Sequence, residues 1–566
     1  MLLSNMELLA TAPGGVAKLR ELILTLAVQG KLVPQDPADE PAGVLLQKIR
    51  AEKDRLVAEG KIKRDKPLAE IAEEEKPFEL PTQWEWVRLI DLMPEFQNGV
   101  SSRGDAGGTP ITVLRLADIK GKRISLADTR QVPIASADIA KYHLAEGDIL
   151  ITRVNGSADI VGQFNLCDRP VDAIYCDHFI RMRINQRWME PSFCALLGDS
   201  ALVRTAIKSL FITTAGQKTV NQGHIGSLQL PLPPLAEQSR IVTRVESLMR
   251  LCDALEAKGQ LEATQHAQLV STLLDTLTAS TTPEELAAHW QRVAQHFDLL
   301  AGRPEAIDAL EQTLLQLAVR GLLVPQDPTD EPASALLQKI RAEKDRLIAT
   351  GQIKRDKPLP PITDEEKPFE LPVGWEWGRL EQLSIAIVDC PHSTPKFVER
   401  GRLCLDTNSF KQGVLLPHKL RFVDDSTFVE RNARLAPQPG DLVFAREGSV
   451  GESILIPNGV DACLGQRVML FRFSTQVSKE FVRLAISSTS FLDALLAMHK
   501  GIGAKHVNVG DMRNAVIPLP PLPEQSRIVT RITALRRLCA DLRQRVAERQ
   551  SVQACLAEAL VDSVTA

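Results

Sequence analysis

An internal duplication constrains this chain more than any other feature. Residues 19–68, which begin LRELILTLAVQGKLVPQDPADEPAGVLLQKIRAEKDRL, return at 310–359 as LEQTLLQLAVRGLLVPQDPTDEPASALLQKIRAEKDRL, with 37 of 50 positions identical. The same offset of 291 carries KPFELPTQWEW at 76–86 onto KPFELPVGWEW at 367–377. A second block, PLPPLAEQSRIVTR at 231–244, returns as PLPPLPEQSRIVTR at 518–531, at an offset of 287 and with one difference in 14 positions. Stacked-repeat proteins have periods of about 20 to 50 residues, so a period near 290 marks a duplicated half-molecule rather than a solenoid or propeller. The stretches between the duplicated blocks differ in length by four residues, and most of their sequence has diverged.

Each half reads as helical arm, Pro-rich lead-in, variable globular domain, Pro-rich exit and long helix. The boundaries fall at 1–81 (helical arm), 82–230 (first variable domain), 231–372 (long helix and second arm), 373–517 (second variable domain) and 518–566 (second long helix). PAGVLLQKIRAEKDRLVAEG at 41–60 opens on Pro, closes on Gly and holds apolar residues at helical spacing, which predicts a helix. After Pro234, residues Ile241, Val245, Leu248, Cys252 and Leu255 are spaced as an a/d heptad seam, and Val270, Leu273 and Leu277 continue it in phase beyond a Gly-containing interruption. Ile528, Ile532, Leu535, Cys539 and Leu542 repeat the seam in the second half. The two matched seams are expected to pack on each other as an antiparallel coiled coil, a rod of about 60 Å for some 40 residues at 1.5 Å each. The variable domains read as mixed α/β with short strands, as in GDILITRVNG (147–156) and GDLVFAREGS (440–449). The expected fold class is thus α/β, with mixed α+β domains carried on long antiparallel helices about a pseudo-twofold axis.

Composition narrows the function classes. At 566 residues the chain is multidomain, and 44% hydrophobic with 24% charged residues is ordinary globular content. No apolar run reaches membrane-spanning length, and the N-terminus lacks the basic, then apolar, pattern of a secretory signal, so a cytoplasmic protein is expected. Nine cysteines without a CxxC pair argue against a disulfide framework or a zinc ribbon. Catalytic patterns are missing too: no GxxxxGK[ST] loop, no [DNS]PP[FYW] tetrapeptide and no GxSxG elbow. Asp253, Glu256 and Lys258 lie on the heptad helix and read as its solvated face, and His289 and His296 lack partners at ligand spacing. No catalytic residue and no metal site is assigned.

The net charge of −4 is unevenly spread. The first variable domain holds 16 basic and 15 acidic residues and the second 17 and 15, so these domains are slightly basic and the rest of the chain is acidic. That sign suits domains that face phosphate and arms that face protein. Local clusters are Lys120, Lys122, Arg123 and Arg130 in the first domain, and Lys396, Arg400, Arg402, Lys411, Lys419 and Arg421 in the second.

The doubled PLPPLxEQxxIV with its long helix, the GDxLxxR-like strands (Gly147, Asp148, Arg153; Gly440, Asp441, Arg446) and the LAVQGKLVPQDPxDEPA arm together resemble the specificity subunit of type I restriction-modification systems, over the whole chain and in order. The resemblance implies a non-catalytic DNA-reading subunit. Two target-recognition domains would each read half of a split, asymmetric double-stranded site, and the helical regions would set the spacing and bind two methylation subunits. It also implies that S-adenosylmethionine, ATP and Mg belong to the methylation and restriction partners, with no cofactor in this chain. A protein-interaction scaffold, or a degenerate relative that no longer reads sequence, is the alternative.

If two domains share a frame but read different half-sites, recurring residues are framework or backbone contacts and base readers lie among those that differ. Arg153/Arg446, Lys218/Lys505 and Asn221/Asn508 recur at aligned positions. Ser101, Ser102, Arg103, Lys122, Arg123 and Asn155 in the first domain, and His392, Ser393, Lys396, Asn408, Lys411 and Lys500 in the second, are candidate base readers; Lys120 joins the DNA-facing candidates. Trp84, Trp86, Trp375 and Trp377 read as packing anchors. Exchanging residues 82–230 for the corresponding domain of another family member is expected to change one half of the recognised site and leave the other intact, as read by mapping modified sites; a change in both halves would refute the modular organisation.

Overall fold

The computed structural model describes residues 6–62, 70–101, 108–214, 216–280, 282–355, 358–497 and 506–565. The chain forms two compact units, Met1–Glu262 with Gln550–Ala566, and Ala263–Arg549. Among the described residues no helix is long and apolar enough to cross a membrane.

Within the first unit, arm helices Gly15–Val28 and Ala42–Ala58 precede a lead-in strand, Glu85–Arg88. This strand pairs antiparallel with the exit strand Gln229–Leu232, Trp86 opposite Pro231, and so closes the variable domain at its neck. Between them lies a four-stranded antiparallel sheet in the order Glu95–Asn98, Phe179–Arg183, Ile149–Thr152, Phe164–Leu166. A three-stranded sheet sets Thr109–Leu114 between Ala173–Tyr175, parallel to it, and Gln131–Ile134, antiparallel. The second unit repeats this plan. Glu376–Arg379 pairs with Val516–Leu519, Trp377 opposite Pro518. Its first sheet runs Ser384–Asp389, Val468–Phe473, Leu442–Ala445, Ser453–Leu455, and Arg402–Leu405 again pairs parallel with Ala462–Leu464 in the second.

Alternation along the central strands explains why they read as unbroken apolar runs. Ile149 and Ile151 pack into the core shared with the arm helices, whereas Leu150 packs into the second sheet's core. In the second unit Leu442 and Phe444 face the helices and Val443 and Ala445 the second sheet. A strand covered on both sides has no polar face to display.

Each long helix, Leu235–Thr278 and Leu522–Thr565, runs 44 residues, the first without a break at Gly259. Within each unit the head of one seam shares a core with the tail of the other long helix, as the expected antiparallel coiled coil requires. Ile241, Val245 and Cys252 are buried in the first unit with Leu19 and Ile23 of the arm and Ala557 from the tail of the second long helix. Ile528, Ile532 and Cys539 are buried in the second unit with Leu310 and Leu314 of that arm and Val270, Leu273 and Leu277 from the tail of the first long helix. Leu248 and Leu255, and Leu535 and Leu542, lie half-buried on the same cores. In an antiparallel pair the head of one helix lies against the tail of the other, so the two heads, which carry the repeated sequence, cannot share an interface. The carboxylates of Asp253 and Glu256 are engaged by Arg20 of the arm, each at 2.8 Å.

The EQ of the duplicated PLPPLxEQ is the polar joint of each unit. Glu237 and Gln238 are fully buried at the first turn of the long helix. Glu237 accepts from Trp84 Nε1 at 3.0 Å and from Gln35 Nε2 at 2.6 Å. Gln238 accepts from the Glu190 backbone N–H at 2.8 Å and donates to the Pro233 carbonyl at 3.1 Å. One turn on, Arg240 grips Asp39 of the arm. In the second unit Glu524 accepts from Trp375 Nε1 at 2.9 Å and Gln326 Nε2 at 3.3 Å, Gln525 accepts from the Ser478 N–H at 2.9 Å, and Arg527 pairs with Asp330 at 2.7 Å. The four WEW tryptophans thus anchor as expected, Trp84 and Trp375 through their indole N–H and Trp86 and Trp377 by tilted packing on Phe78 and Phe369 at 5.1 Å.

Burial raises the carboxyl pKa of both Glu237 and Glu524, and the Trp and Gln donors hold it partly down. A carboxyl raised on folding binds more protons in the folded state, so its contribution to stability is best at low pH and declines as pH rises from the ordinary glutamate range through the raised one. Urea unfolding followed by circular dichroism is expected to show that Trp84→Phe and Trp375→Phe each cost about 1–3 kcal/mol, by leaving a buried carboxylate oxygen without its donor. The stability of wild type relative to Glu237→Gln should fall as pH rises through that window.

Candidate nucleic-acid interface

The interface is built from the GD turn upward. Gly147 and Gly440 hold φ of +89° and +87°, which glycine adopts freely. The following aspartate then aims back into the turn. Asp148 is buried, accepts the Ala145 N–H at 2.8 Å and takes a bidentate pair from Arg183 at 2.6 and 2.7 Å. Asp441 accepts the Gln438 N–H at 2.8 Å and takes the fork of Arg472 at 3.0 and 2.6 Å. These pairs pin the start of each central strand and so determine where its far end delivers Arg153 or Arg446.

At that far end the two domains share one backbone crossing. The Arg153 N–H donates to the His178 carbonyl at 2.7 Å, and the Arg153 carbonyl accepts the Val220 N–H at 3.0 Å. In the second domain Arg446 N–H donates to the Arg467 carbonyl at 2.9 Å, and its carbonyl accepts the Val507 N–H at 3.0 Å. Asn221 and Asn508 each stand at a helix N-cap just beyond.

Several candidates of the first domain gather at this crossing. Arg153 is half-buried with Nη1 3.4 Å from the Asp177 carbonyl. Asn155 sits opposite Lys218 in an antiparallel ribbon, its Oδ1 accepting the Ser157 N–H at 2.9 Å, while Lys218 Nζ donates to the Gly156 carbonyl at 3.1 Å. Ser101 is exposed next to Val100, whose carbonyl accepts the Asp177 N–H. Lys120, Lys122 and Arg123 stand apart, on the hairpin of Ile119–Lys120 and Arg123–Ile124. Gly121 and Lys122 turn it with φ of +56° and +65°, Lys120 and Arg123 are exposed, and the Lys122 ammonium is held by Asp199 at 2.7 Å.

In the second domain Arg446 is buried between Asp389 at 3.4 Å and Glu447 at 3.5 Å, a framework position rather than a free cation. His392 is exposed, 3.2 Å from Asp389 and 3.4 Å from Arg446 Nη2. Ser393 offers its carbonyl to Arg431 at 3.2 Å. Lys396 and Asn408 are exposed, the backbone N–H of Asn408 being held by Asp406 at 2.9 Å. Lys411 lies exposed on the hairpin Phe410–Lys411 and Val414–Leu415, the counterpart of the Lys120 hairpin. Ser102, Arg103, Lys500 and Lys505 lie outside the described residues.

Sequence reasoning passed over the loops that supply the partner carbonyls, Asp177–His178 and Gln466–Arg467, together with Glu447 and His506. The signal was present: each loop directly precedes a strand of aligned pattern, FIRMR or VMLFR. Cys176, Asp177 and His178 bring three metal-capable atoms within 4.8 Å of one another. They are consecutive residues on one turn, however, and burial raises the Cys176 thiol away from the thiolate a metal needs.

The two slightly basic domains share one frame and carry different side chains around it. Residues 105–265 and 418–549 match the family described as type I restriction modification DNA specificity domain. The chain is 37% identical to the type I restriction enzyme EcoAI specificity subunit of Escherichia coli, over 97% of this chain and 94% of that one. The chain belongs to the family of type I restriction enzyme specificity subunits. The EcoEI specificity subunit of the same species is 36% identical over the same shares. As a specificity subunit the chain is a non-catalytic component that supplies DNA sequence specificity, and its duplicated halves account for the two family matches. In this subunit Arg446→Ala is expected to destabilise the second unit by about 1–3 kcal/mol, by stranding Asp389 and Glu447 around an empty site. Lys411→Ala, on an exposed hairpin, should stay within about 0.5 kcal/mol in the same unfolding experiment.

Proposed function

We propose that the variable domains, residues 82–230 and 373–517, each read one half of a bipartite, asymmetric duplex site. On this reading the helical regions 1–81, 231–372 and 518–566 hold the two domains at a set separation and dock two methylation subunits that modify adenine. Restriction subunits join the full complex, and S-adenosylmethionine, ATP and Mg serve those partners. The observation that carries this is the shared backbone crossing at Arg153 and Arg446, which presents different residues from the same scaffold: Ser101, Asn155 and His178 in one domain, His392, Glu447 and Arg467 in the other. Identical frames with unlike contact residues suit two unlike half-sites, whereas a scaffold that bound one protein partner twice would keep those residues alike.

The long helices supply the ruler. One heptad inserted into each adds about 10 Å, which corresponds to about three base pairs of B-form DNA. Mapping methylated adenines in a host that carries the wild-type chain should give two half-sites with one spacer. The same map with a heptad inserted near Lys258 and near Gln544 should keep both half-sites and lengthen the spacer. An unchanged spacer would refute the ruler, and a genome without a two-part site would refute the reading as a whole.

A further inference from the structure

One aligned position that differs between the two domains is occupied by His178 in the first and Arg467 in the second. Both carbonyls take the N–H of the framework arginine, and both side chains are exposed. Arg467 holds a left-handed φ of +63°, a conformation that favours glycine and persists in other residues only where the surroundings impose it. Its Nε lies 3.4 Å from Glu447 Oε2. The other oxygen of Glu447 is held by His506 Nδ1 at 2.7 Å and by Arg446 Nη2 at 3.5 Å, so the carboxylate is fixed from two further sides. Among the described residues no partner bonds Nη1 or Nη2 of Arg467, and the side chain is 61% exposed. The ion pair ties the guanidinium to a fixed carboxylate through its Nε side, while its exposure leaves Nη1 and Nη2 accessible as a fork of donors.

We infer that Arg467, oriented by Glu447, is a specificity-determining residue of the second domain that reads a guanine of its half-site through Nη1 and Nη2. This rests on the reading above, in which residues 373–517 face one half of the site. A fork of two parallel N–H donors matches the O6 and N7 acceptors of guanine in the major groove, and no other base presents that pair. A phosphate contact would need only the charge, which lysine supplies as well, whereas the planar fork is particular to arginine.

The test uses the full chain in its methylation complex and a library of duplexes with randomised half-sites, selected by binding over a range of salt concentrations. Arg467→Gly removes the side chain and suits the φ of +63°, so its thermal transition should match or exceed that of wild type. Wild type should select a G·C pair at one position of the half-site assigned to the second domain. Arg467→Gly should lose that preference by on the order of 10- to 100-fold while every other position stays as it was. Arg467→Lys should fail to restore it. Equal weakening on all sequences with a shallower salt slope, restored by lysine, would make Arg467 a phosphate contact and overturn the inference. An unaltered selection, or a change confined to the other half-site, would overturn it as well. A wild-type complex that selects no two-part site would instead remove the reading on which the inference rests.

Discussion

The buried Glu-Gln pair at the start of each long helix is the interaction on which the rest depends. Glu237 and Glu524 carry charge into the core, which is unfavourable unless every lone pair finds a donor. The donors come from separate parts of the chain: an indole of the lead-in strand and an amide of the arm, while the neighbouring Gln ties in the variable domain through the backbone of Glu190 or Ser478. Arm, neck, reading domain and long helix therefore converge on two adjacent residues. An apolar joint of similar volume could bury as much surface but would not specify which four segments meet, or in what register.

That joint explains why the duplication is preserved where it is. The blocks that repeat almost verbatim contain its parts: Gln35 and Asp39 in the arm, Trp84 at the neck, Glu237, Gln238 and Arg240 on the helix, and their counterparts. Each part is constrained by the geometry of the others, so a single change leaves a buried group without its partner. The stretches between them answer to their own sheets and to the DNA-reading role proposed for them, which many sequences can satisfy.

Much of this was legible in the sequence. The repeat gave the architecture, the heptad spacing gave the long helices, and the GD strands gave the frame, because these signals are local or self-repeating. The arm helices that share each seam's core were not foreseen, because periodicity reports which face is apolar and not everything that covers it. The reading surface was legible only in part. Arg446, read from its recurrence as framework, lies buried between two carboxylates, whereas Lys122 read as a base reader until Asp199 engaged it. Arg467 and Glu447 escaped because their significance lies in a backbone crossing between segments about 20 residues apart, and no spacing rule encodes such a crossing.

The neck has a consequence for how such a chain can change over time. Each reading domain departs from and rejoins the helices at one two-stranded closure, Trp86 opposite Pro231 and Trp377 opposite Pro518. The entropy of closing a loop grows only with the logarithm of its length, about 0.6 kcal/mol for a doubling. Residues gained or lost within the excursion are therefore almost unfelt at the neck, and the four-residue difference between the halves is an instance. The fold separates what must stay constant from what is free to drift, so a new preference can arise in one domain without renegotiating the helices that carry it.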